Sequence, residues 1–194
     1  TSELQERKQL ADLKIFCLIL QHDKEARHLL KDKSYQEEMD YLVSNEKRNK
    51  YIRNLCLSLQ GNSLCLFQYV EKHGVILKQL IEEKAGDRKV FFVYGGVEAN
   101  ERESIRAITE KSDNAIIIAS YGTFSTGINI RNLHNIVFSS PSKSRIRNLQ
   151  SIGRGLRLKD NDSSATLYDI ADDLTYNEKE NYTLAHFRER INIY

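Results

Sequence analysis

Two arginines and a glutamine in the last third of the chain have the residue types and spacing of a phosphate-binding site. They are Gln150, Arg154 and Arg157, in the sequence QSIGRGLR. Helix positions three or four residues apart share a face, so a helix here would place all three side chains on one side. Guanidinium groups stay charged and match phosphate oxygens in a forked geometry. The segment therefore predicts a polyphosphate site, with a solvated basic helix as the alternative.

A second segment, Ala119–Ile130 (ASYGTFSTGINI), combines small hydroxyl side chains with glycines directly after an apolar run. The hydroxyl groups of Ser120 and Thr123 are typical of contacts with nucleic-acid phosphates. Gly122 and Gly127 allow a phosphate to approach the backbone closely. The segment therefore predicts a phosphate-contacting loop, although the same composition also occurs in ordinary turns that bind no anion.

A third segment, Leu64–Gly74 (LCLFQYVEKHG), predicts a strand that ends near Gln68 and Tyr69, followed by a helix that starts near His73. Aromatic rings at a strand end can stack on nucleobases. The alternative is that Phe67 belongs to the core and that Tyr69 packs on the following helix. His73 has no cysteine or second histidine at ligand spacing, so we predict no metal site there.

The glycine pair Gly95-Gly96 follows another apolar run, but it belongs to neither a GxGxxG nor a GxxxxGK(S/T) motif. No DExx tetrad follows a predicted strand either. Motor ATPases hold Mg²⁺ and ATP with such motifs, so we predict that the chain cannot hydrolyse ATP on its own. We interpret Asp172 and Asp173, which follow Asp169, as a solvated acidic turn rather than a metal cluster.

These segments need a framework of strands and helices to position them. Six apolar runs predict buried strands: Leu13–Leu20, Ser63–Tyr69, Val90–Tyr94, Ala115–Ser120, Asn135–Ser139 and Ala165–Ile170. Helical spacing predicts two helices that meet near Ser44 and Asn45 within Tyr35–Gln60, and one helix each over Gly74–Ala85, Ala99–Lys111, Lys143–Leu158 and Asn177–Asn192. This alternation predicts an α/β fold, a mostly parallel sheet flanked by helices, with ligands at the carboxyl ends of the strands.

Composition narrows the class of protein. The chain has 194 residues, 40% of them hydrophobic, and a net charge of +2, so no global field attracts nucleic acid. No apolar run reaches the roughly 18 residues that span a bilayer, so we expect no membrane partner. Cys17, Cys56 and Cys65 form no close pair, and we predict buried, reduced thiols. We predict one domain, in which residues 1–62 form a lead-in strand and helices and residues 63–194 form the core with a C-terminal helix.

In their order along the chain, these segments resemble the motifs of the second RecA-like domain of superfamily 2 helicases. Leu64–Gly74 resembles motif IV, Ala119–Ile130 resembles motif V, and Gln150–Arg157 resembles the QxxGRxxR arginine motif VI. A narrower resemblance, to phage recombination DNA helicases, spans about Leu13 to Arg157. Motif V here begins with Ser120 rather than the commoner threonine, which leaves open which hydroxyl group meets phosphate.

The resemblance implies half of an ATP-dependent DNA helicase or translocase. Such enzymes remodel branched DNA, including D-loops, R-loops and four-way junctions, in recombination, repair and replication. ATP and Mg²⁺ would be held mainly by a missing N-terminal RecA-like domain. The expected partners are DNA and that domain, in a monomer that is a fragment of a longer protein, located in the bacterial host cytoplasm if phage-encoded. Alternatives are a nucleic-acid-binding module without an ATPase role, half of an RNA helicase, or an unrelated α/β enzyme.

The resemblance also implies roles for individual residues. Arg154 and Arg157 would reach ATP across the interdomain cleft as arginine fingers. The residues expected on the nucleotide side are Gln150, Gly127, Asn129 and Gly153. The residues expected to contact nucleic acid are Ser120, Thr123, Gln68, Tyr69 and Gly96.

Overall fold

The structure, a computed structural model, describes residues 13–125, 130, 132–141 and 165–191. Within these residues, six strands form one sheet in the order β1-β6-β5-β2-β4-β3, and all neighbouring strands are parallel. The strands are β1 (Leu13–Gln21), β2 (Ser63–Phe67), β3 (Val90–Val93), β4 (Ile116–Ser120), β5 (Asn135–Phe138) and β6 (Ala165–Asp173). The six predicted strands and the predicted parallel α/β fold are therefore confirmed.

The helices pack on the sheet and at its ends. In the described part of the chain they are α1 (Lys24–Leu30), α2 (Tyr35–Ser44), α3 (Glu46–Ser58), α4 (Val75–Glu82), α5 (Ala99–Glu110), α6 (Tyr121–Ser125) and α7 (Tyr182–Ile191). A single π-helical turn, Val70–Gly74, precedes α4. None of the described helices has the length and apolar character needed to cross a bilayer.

The junction predicted near Ser44 and Asn45 is confirmed. Asn45 ends α2 in an extended conformation, and its side chain accepts a hydrogen bond from the Arg48 amide at 2.8 Å at the start of α3. Ser34 and Glu37 form a capping box at the start of α2. Side-chain caps of this kind satisfy amide groups that have no partner inside the helix, which fixes where each helix begins.

One helix prediction needs correction, two short helices were not predicted, and one predicted helix lies outside the described residues. Helix α7 begins at Tyr182 rather than at Asn177, because Asn177 and Glu178 have φ values of 46° and 66° in a tight turn. The short helices α1 and α6 were not predicted, since their few residues carry too little apolar periodicity. The predicted helix Lys143–Leu158 lies outside the described residues.

Apolar side chains cover both faces of the sheet. All five residues of β2 are buried, as are all five of β4. One face packs Leu64, Leu66, Ile117, Ile136 and Phe138 together with Ile105 of α5. The other face packs Cys65, Phe67, Ile118 and Val137 against Ile52 of α3 and Leu77 of α4. Burial of each large side chain contributes about 1.5–3 kcal/mol, so the centre of the sheet is the most firmly held part of the fold.

The prediction of a solvated acidic turn after β6 is wrong. Strand β6 continues to Asp173, and both Asp169 and Asp172 are fully buried. Each has an arginine partner: Arg190 lies 3.2 Å from Asp169, and Arg48 lies 2.9 Å from Asp172. These ion pairs compensate for desolvation of the carboxylates, which is what allows charged residues inside a buried strand.

The prediction of three buried thiols is wrong for one cysteine. Cys56 and Cys65 are buried, whereas Cys17 is exposed. The reason is the place of β1 at the edge of the sheet, where it pairs only with β6. An edge strand is covered less completely than a central one, so an apolar sequence alone does not guarantee burial there.

Helix α7 is attached to the lead-in helices by a buried carboxylate. Glu38 of α2 accepts hydrogen bonds from the backbone amides of Tyr182 at 3.1 Å and Thr183 at 2.7 Å. It also accepts one from the Asn181 side chain at 3.2 Å. A carboxylate at a helix N-terminus is favoured by the helix dipole as well as by these bonds. Residues before and after the central strands are therefore held together in one arrangement.

Candidate functional site

The predicted hydroxyl pair of motif V lies at the junction of β4 and α6. The Oγ of Ser120 lies 2.6 Å from the Oγ1 of Thr123, and the Thr123 amide donates to Ser120 Oγ at 3.3 Å. Both side chains are buried, whereas Gly122 between them is exposed and no atom lies within 4 Å of where its β-carbon would be. The structure thus brings Ser120 and Thr123 together beside the exposed Gly122.

The motif IV residues lie at the end of β2, next to β4. Gln68 is exposed, and its amide donates to Ser140 Oγ at 3.2 Å. Tyr69 is half-buried; its hydroxyl accepts from the Gln36 side chain at 3.4 Å, and Lys72 lies 5.4 Å from the ring centroid. Tyr69 therefore packs on the turn that follows it.

The remaining motif IV neighbours divide between core and surface. Phe67 is fully buried and stacks on Phe92, with ring centroids 5.5 Å apart, so its assignment to the core is confirmed. Gly96 is exposed in the loop after β3, at the far edge of the sheet from β6. The β4 loop separates Gly96 from the end of β2, so the structure does not bring Gly96 next to Gln68 and Tyr69.

Two serines after β5 fasten the neighbouring loops to one another, and we call Ser139-Ser140 the serine hub. The Ser139 hydroxyl donates to the Leu66 carbonyl of β2 at 2.5 Å. The Ser140 carbonyl accepts from the hydroxyl of Tyr121, the first residue of α6, at 3.0 Å. Together with the Gln68 amide bond, these contacts hold the carboxyl ends of β2, β4 and β5 in one arrangement.

His73 forms hydrogen bonds with the serine hub and with α3. Its Nδ1 lies 2.9 Å from Ser140 Oγ, and its Nε2 lies 2.9 Å from Asn49 Oδ1. Because Asn49 Oδ1 can only accept, Nε2 carries the proton, and Nδ1 accepts from the Ser140 hydroxyl. Burial, with a smaller contribution from the Arg48 guanidinium, lowers the pKa of His73 from 6.5 to about 3. The histidine is therefore a neutral structural group, and neither ring nitrogen is available to a metal.

Acidification is expected to weaken the fold through His73. In the unfolded chain the pKa of the His73 imidazole is near 6.5, whereas in the folded chain it is about 3. The contribution of His73 to the free energy of unfolding is therefore fully present above pH 6.5 and is lost as the pH falls from 6.5 towards 3. The expected slope from this group is about 1.4 kcal/mol per pH unit. Urea unfolding at a series of pH values measures it. The variant His73→Gln should be less stable at neutral pH but should show a shallower slope; an unchanged slope would rule out this origin.

Replacement of Gly74, at the end of the π-helical turn, is expected to destabilise the fold. A β-carbon there would lie 2.6 Å from two ring carbons of Phe67, and that ring is fully buried. Gly74→Ala should therefore cost about 1–3 kcal/mol of unfolding free energy, as overpacked cores do. The matched control is Gly95→Ala, since no atom lies within 4 Å of that position. Equal unfolding midpoints for the two variants in urea would contradict the steric explanation.

A buried ion pair supports the serine hub from the side of α3. Arg48 donates to both carboxylate oxygens of Asp172, at 2.9 and 3.0 Å, and to the Ser139 carbonyl at 2.7 Å. His22 lies 3.0 Å from the same carboxylate. Burial raises the pKa of Asp172, but the Arg48 charge and the His22 hydrogen bond outweigh it, and the pKa is lowered overall. Sequence reasoning missed this group because its members are far apart in the chain.

The other predicted site residues lie outside the described residues. They are Gly127, Asn129, Gln150, Gly153, Arg154 and Arg157. Among the residues that are described, no group of three or more histidine, cysteine or acidic side chains could hold a metal ion.

Comparison with known proteins places these motifs in a family. The family model of the helicase conserved C-terminal domain matches residues 46–159. The chain is 36% identical over 207 residues to the ATP-dependent DNA helicase uvsW of Enterobacteria phage T4. That match covers 100% of this chain and 41% of the T4 protein, so the chain spans about two-fifths of its relative's length.

Solved structures agree with this placement. The crystal structure of T4 UvsW has a TM-score of 0.81 and covers 94% of this chain and 39% of its own. The C-terminal part of the Fun30 ATPase domain has a TM-score of 0.55 at 14% identity, covering 84% of this chain and 56% of its own. The yeast DEAD-box splicing factor Prp28 has a TM-score of 0.60 at 15% identity, covering 95% and 33%. The last two comparisons show the fold alone.

The family match includes the predicted motifs IV, V and VI, which lie between residues 64 and 157. The fold, the order of the motifs and the likeness to T4 UvsW all agree. The chain belongs to the helicase conserved C-terminal domain family, as a second RecA-like domain of the superfamily 2 helicases.

Proposed function

We propose that this chain is the C-terminal motor half of an ATP-dependent DNA helicase or translocase that remodels branched DNA in recombination, repair and replication. The observation that carries the proposal is the 36% identity to the T4 helicase along the whole chain. Motifs IV, V and VI occur within that match in their expected order. The N-terminal RecA-like half supplies the Walker and DExx motifs that this sequence lacks.

In this proposal Arg154 and Arg157 stabilise the charge on the transferring phosphoryl group of ATP. An arginine supplied to such a site accelerates the reaction by roughly 10³–10⁵-fold. Gln150, Gly153, Gly127 and Asn129 lie on the nucleotide side of the same interdomain cleft. This chain thus completes the ATP site, whereas ATP itself is bound mainly by the other domain. Opening of the interdomain cleft after hydrolysis moves the protein along the DNA strand.

Two buried carboxylates among the described residues are poor candidates for binding Mg²⁺. Asp169 and Asp172, two fully buried carboxylates of β6, are each paired with an arginine. Mg²⁺ binds through carboxylates and keeps several waters, so a carboxylate already held by a guanidinium is a poor ligand. Mg²⁺ is therefore expected to be held by the N-terminal half and the ATP phosphates.

Nucleic acid is proposed to cross the carboxyl edge of the sheet. Ser120, Thr123 and the exposed Gly122 backbone contact phosphates at the end of β4, while Gln68 and Tyr69 contact the strand at the end of β2, with Gly96 more distant. The serine hub supports this assignment because it holds these loops in fixed relation to one another. Preorganised groups bind with less entropic cost than mobile ones.

Remodelling assays on a panel of substrates test the proposed function. The chain would be combined with its N-terminal half and given D-loops, R-loops, four-way junctions, linear DNA duplexes and linear RNA duplexes. We expect ATP-dependent remodelling of the branched DNA substrates in preference to the linear duplexes. Preference for RNA duplexes, or tight binding of branched DNA without any ATP-dependent remodelling, would overturn the proposal in favour of an RNA helicase or a binding module.

A further inference from the structure

A cleft of about 410 Å³ opens where β1 ends, between α1 and the junction of α2 with α3. Its walls include His22, Tyr41, Lys47, Arg48 and Tyr51. The volume lies at the low end of the range of roughly 300–1,000 Å³ that is typical of small-molecule sites. None of the site residues discussed above as nucleotide or nucleic-acid contacts lines it.

The floor of the cleft is a fixed polar group. A carboxylate only accepts hydrogen bonds, so His22 Nε2 donates to Asp172 at 3.0 Å. In the neutral imidazole this leaves Nδ1 as an acceptor, and it has no hydrogen-bond partner among the residues that the structure describes. The imidazole is only 9% exposed, so its orientation is held by packing. The floor therefore offers one oriented acceptor to an N–H group.

The walls offer an aromatic face and a positive charge. Tyr51 is 37% exposed, which leaves much of its ring uncovered. Lys47 is exposed and forms no ion pair within the described part of the chain. The Tyr41 hydroxyl oxygen accepts from the Asn45 side chain at 3.1 Å, so its own proton can be donated. The acidic residue of the lining, Asp23, is engaged as the N-cap of α1.

Hydrogen bonds link the cleft to the proposed nucleic-acid path. Arg48, which lines the cleft, also donates to the Ser139 carbonyl of the serine hub, and Ser140 holds the Gln68 amide. Both places lie at the carboxyl edge of the sheet. Strands β2 and β1 are separated by β5 and β6, a distance of about 14 Å at the usual strand spacing. A strand that passes the end of β2 needs only a short further run to reach the cleft.

We propose that this cleft binds one nucleotide of the single DNA strand that crosses the carboxyl edge, an inference that rests on the proposed function. The base stacks on Tyr51 and donates an N–H group to His22 Nδ1, while the phosphate is neutralised by Lys47. Every base carries an N–H donor and a π-face, so the site tolerates any sequence. The cleft thereby extends the DNA footprint of the domain beyond motifs IV and V.

Fluorescence anisotropy with a mixed-sequence oligonucleotide of about ten nucleotides tests the proposal, since single-strand sites span roughly 4–16 nucleotides. Tyr51→Ala should weaken binding by about tenfold or more through lost stacking, whereas Tyr51→Phe, which keeps the ring, should bind like the unmodified chain. Lys47→Gln should weaken binding about fivefold and reduce the logarithmic salt dependence by about one charge. Lys111→Gln, at the amino edge of the sheet beyond α5, is the matched control and should change neither quantity.

The outcomes separate the two proposals. Oligonucleotide binding that is equally tight in the unmodified chain, Tyr51→Ala and Lys47→Gln would overturn the cleft assignment and leave the proposed function standing. Failure of the unmodified chain to bind any oligonucleotide would overturn the cleft assignment, whereas the proposed function is overturned only by the remodelling assays with the N-terminal half. Competition by a free nucleoside monophosphate at the same nucleotide concentration would replace the strand assignment with a free-nucleotide site. Equal unfolding midpoints of all variants in urea exclude misfolding as the cause of lost binding.

Discussion

Replacing Arg154 or Arg157 with alanine is expected to lower the DNA-stimulated ATPase rate of the reassembled helicase by about a thousandfold or more. The physical reason is that each guanidinium neutralises charge that develops on the transferring phosphoryl group, in a cleft that excludes water. The measurement is the steady-state rate of phosphate release, with the chain combined with its N-terminal half and saturating single-stranded DNA. The loss should appear mainly in kcat, because the N-terminal half makes most of the contacts with ATP.

A matched arginine separates this effect from a general loss of positive charge. Arg188 of α7 is largely exposed and forms an ion pair with Glu180. Arg188→Ala removes the same charge away from motif VI and should leave the rate within about twofold, since exposed pairs contribute only about 0–1 kcal/mol. Full ATPase activity in both Arg154→Ala and Arg157→Ala would show that motif VI has no catalytic role in this protein.

Removing Arg48 is expected to give the largest loss of stability of any single substitution considered. Arg48→Ala leaves the fully buried Asp172 carboxylate without its main partner and the Ser139 carbonyl without a donor. Breaking a buried pair on one side costs about 3–5 kcal/mol, a large part of the total for a domain of this size. Urea unfolding at neutral pH measures this loss, and the serine hub should become more susceptible to hydrogen exchange.

An exposed pair on the same helix provides the comparison. Lys50 and Glu46 lie 2.7 Å apart on α3 with both side chains largely in solvent. Lys50→Ala should cost no more than about 0.5 kcal/mol. The pKa of Asp172 is lower in the folded chain than its unfolded value near 3.8. The stability that the Asp172 carboxylate contributes is therefore present above pH 3.8 and is lost only as the pH falls through its pKa in the folded chain. Similar losses in Arg48→Ala and Lys50→Ala at neutral pH would contradict the role assigned to burial.

The central part of the fold could be predicted because its signals are local. Strands such as β2 and β4 are continuous apolar runs, and the break between α2 and α3 falls at a residue that caps helices. These features depend on neighbouring residues, so an unaligned sequence contains them. Motif VI was recognisable only together with motifs IV and V in their order, since the spacing of QSIGRGLR alone also fits a solvated basic helix.

What could not be predicted depends on partners that are distant in sequence. Arg48 and Asp172 are 124 positions apart, and nothing near either residue marks the other. His73 looked isolated because its partners, Asn49 and Ser140, approach it only in the folded chain. The exposure of Cys17 likewise follows from the position of β1 in the sheet order, which depends on pairing rather than on the composition of the strand.

We propose that this domain completes an ATP site that it cannot form alone. The most direct measurement is ATP hydrolysis by the isolated chain and by the same chain mixed with its N-terminal RecA-like half, each with single-stranded DNA and Mg²⁺. We expect no hydrolysis above background by the chain alone and DNA-stimulated hydrolysis by the mixture. Hydrolysis by the isolated chain, or a mixture no more active than the N-terminal half by itself, would contradict it.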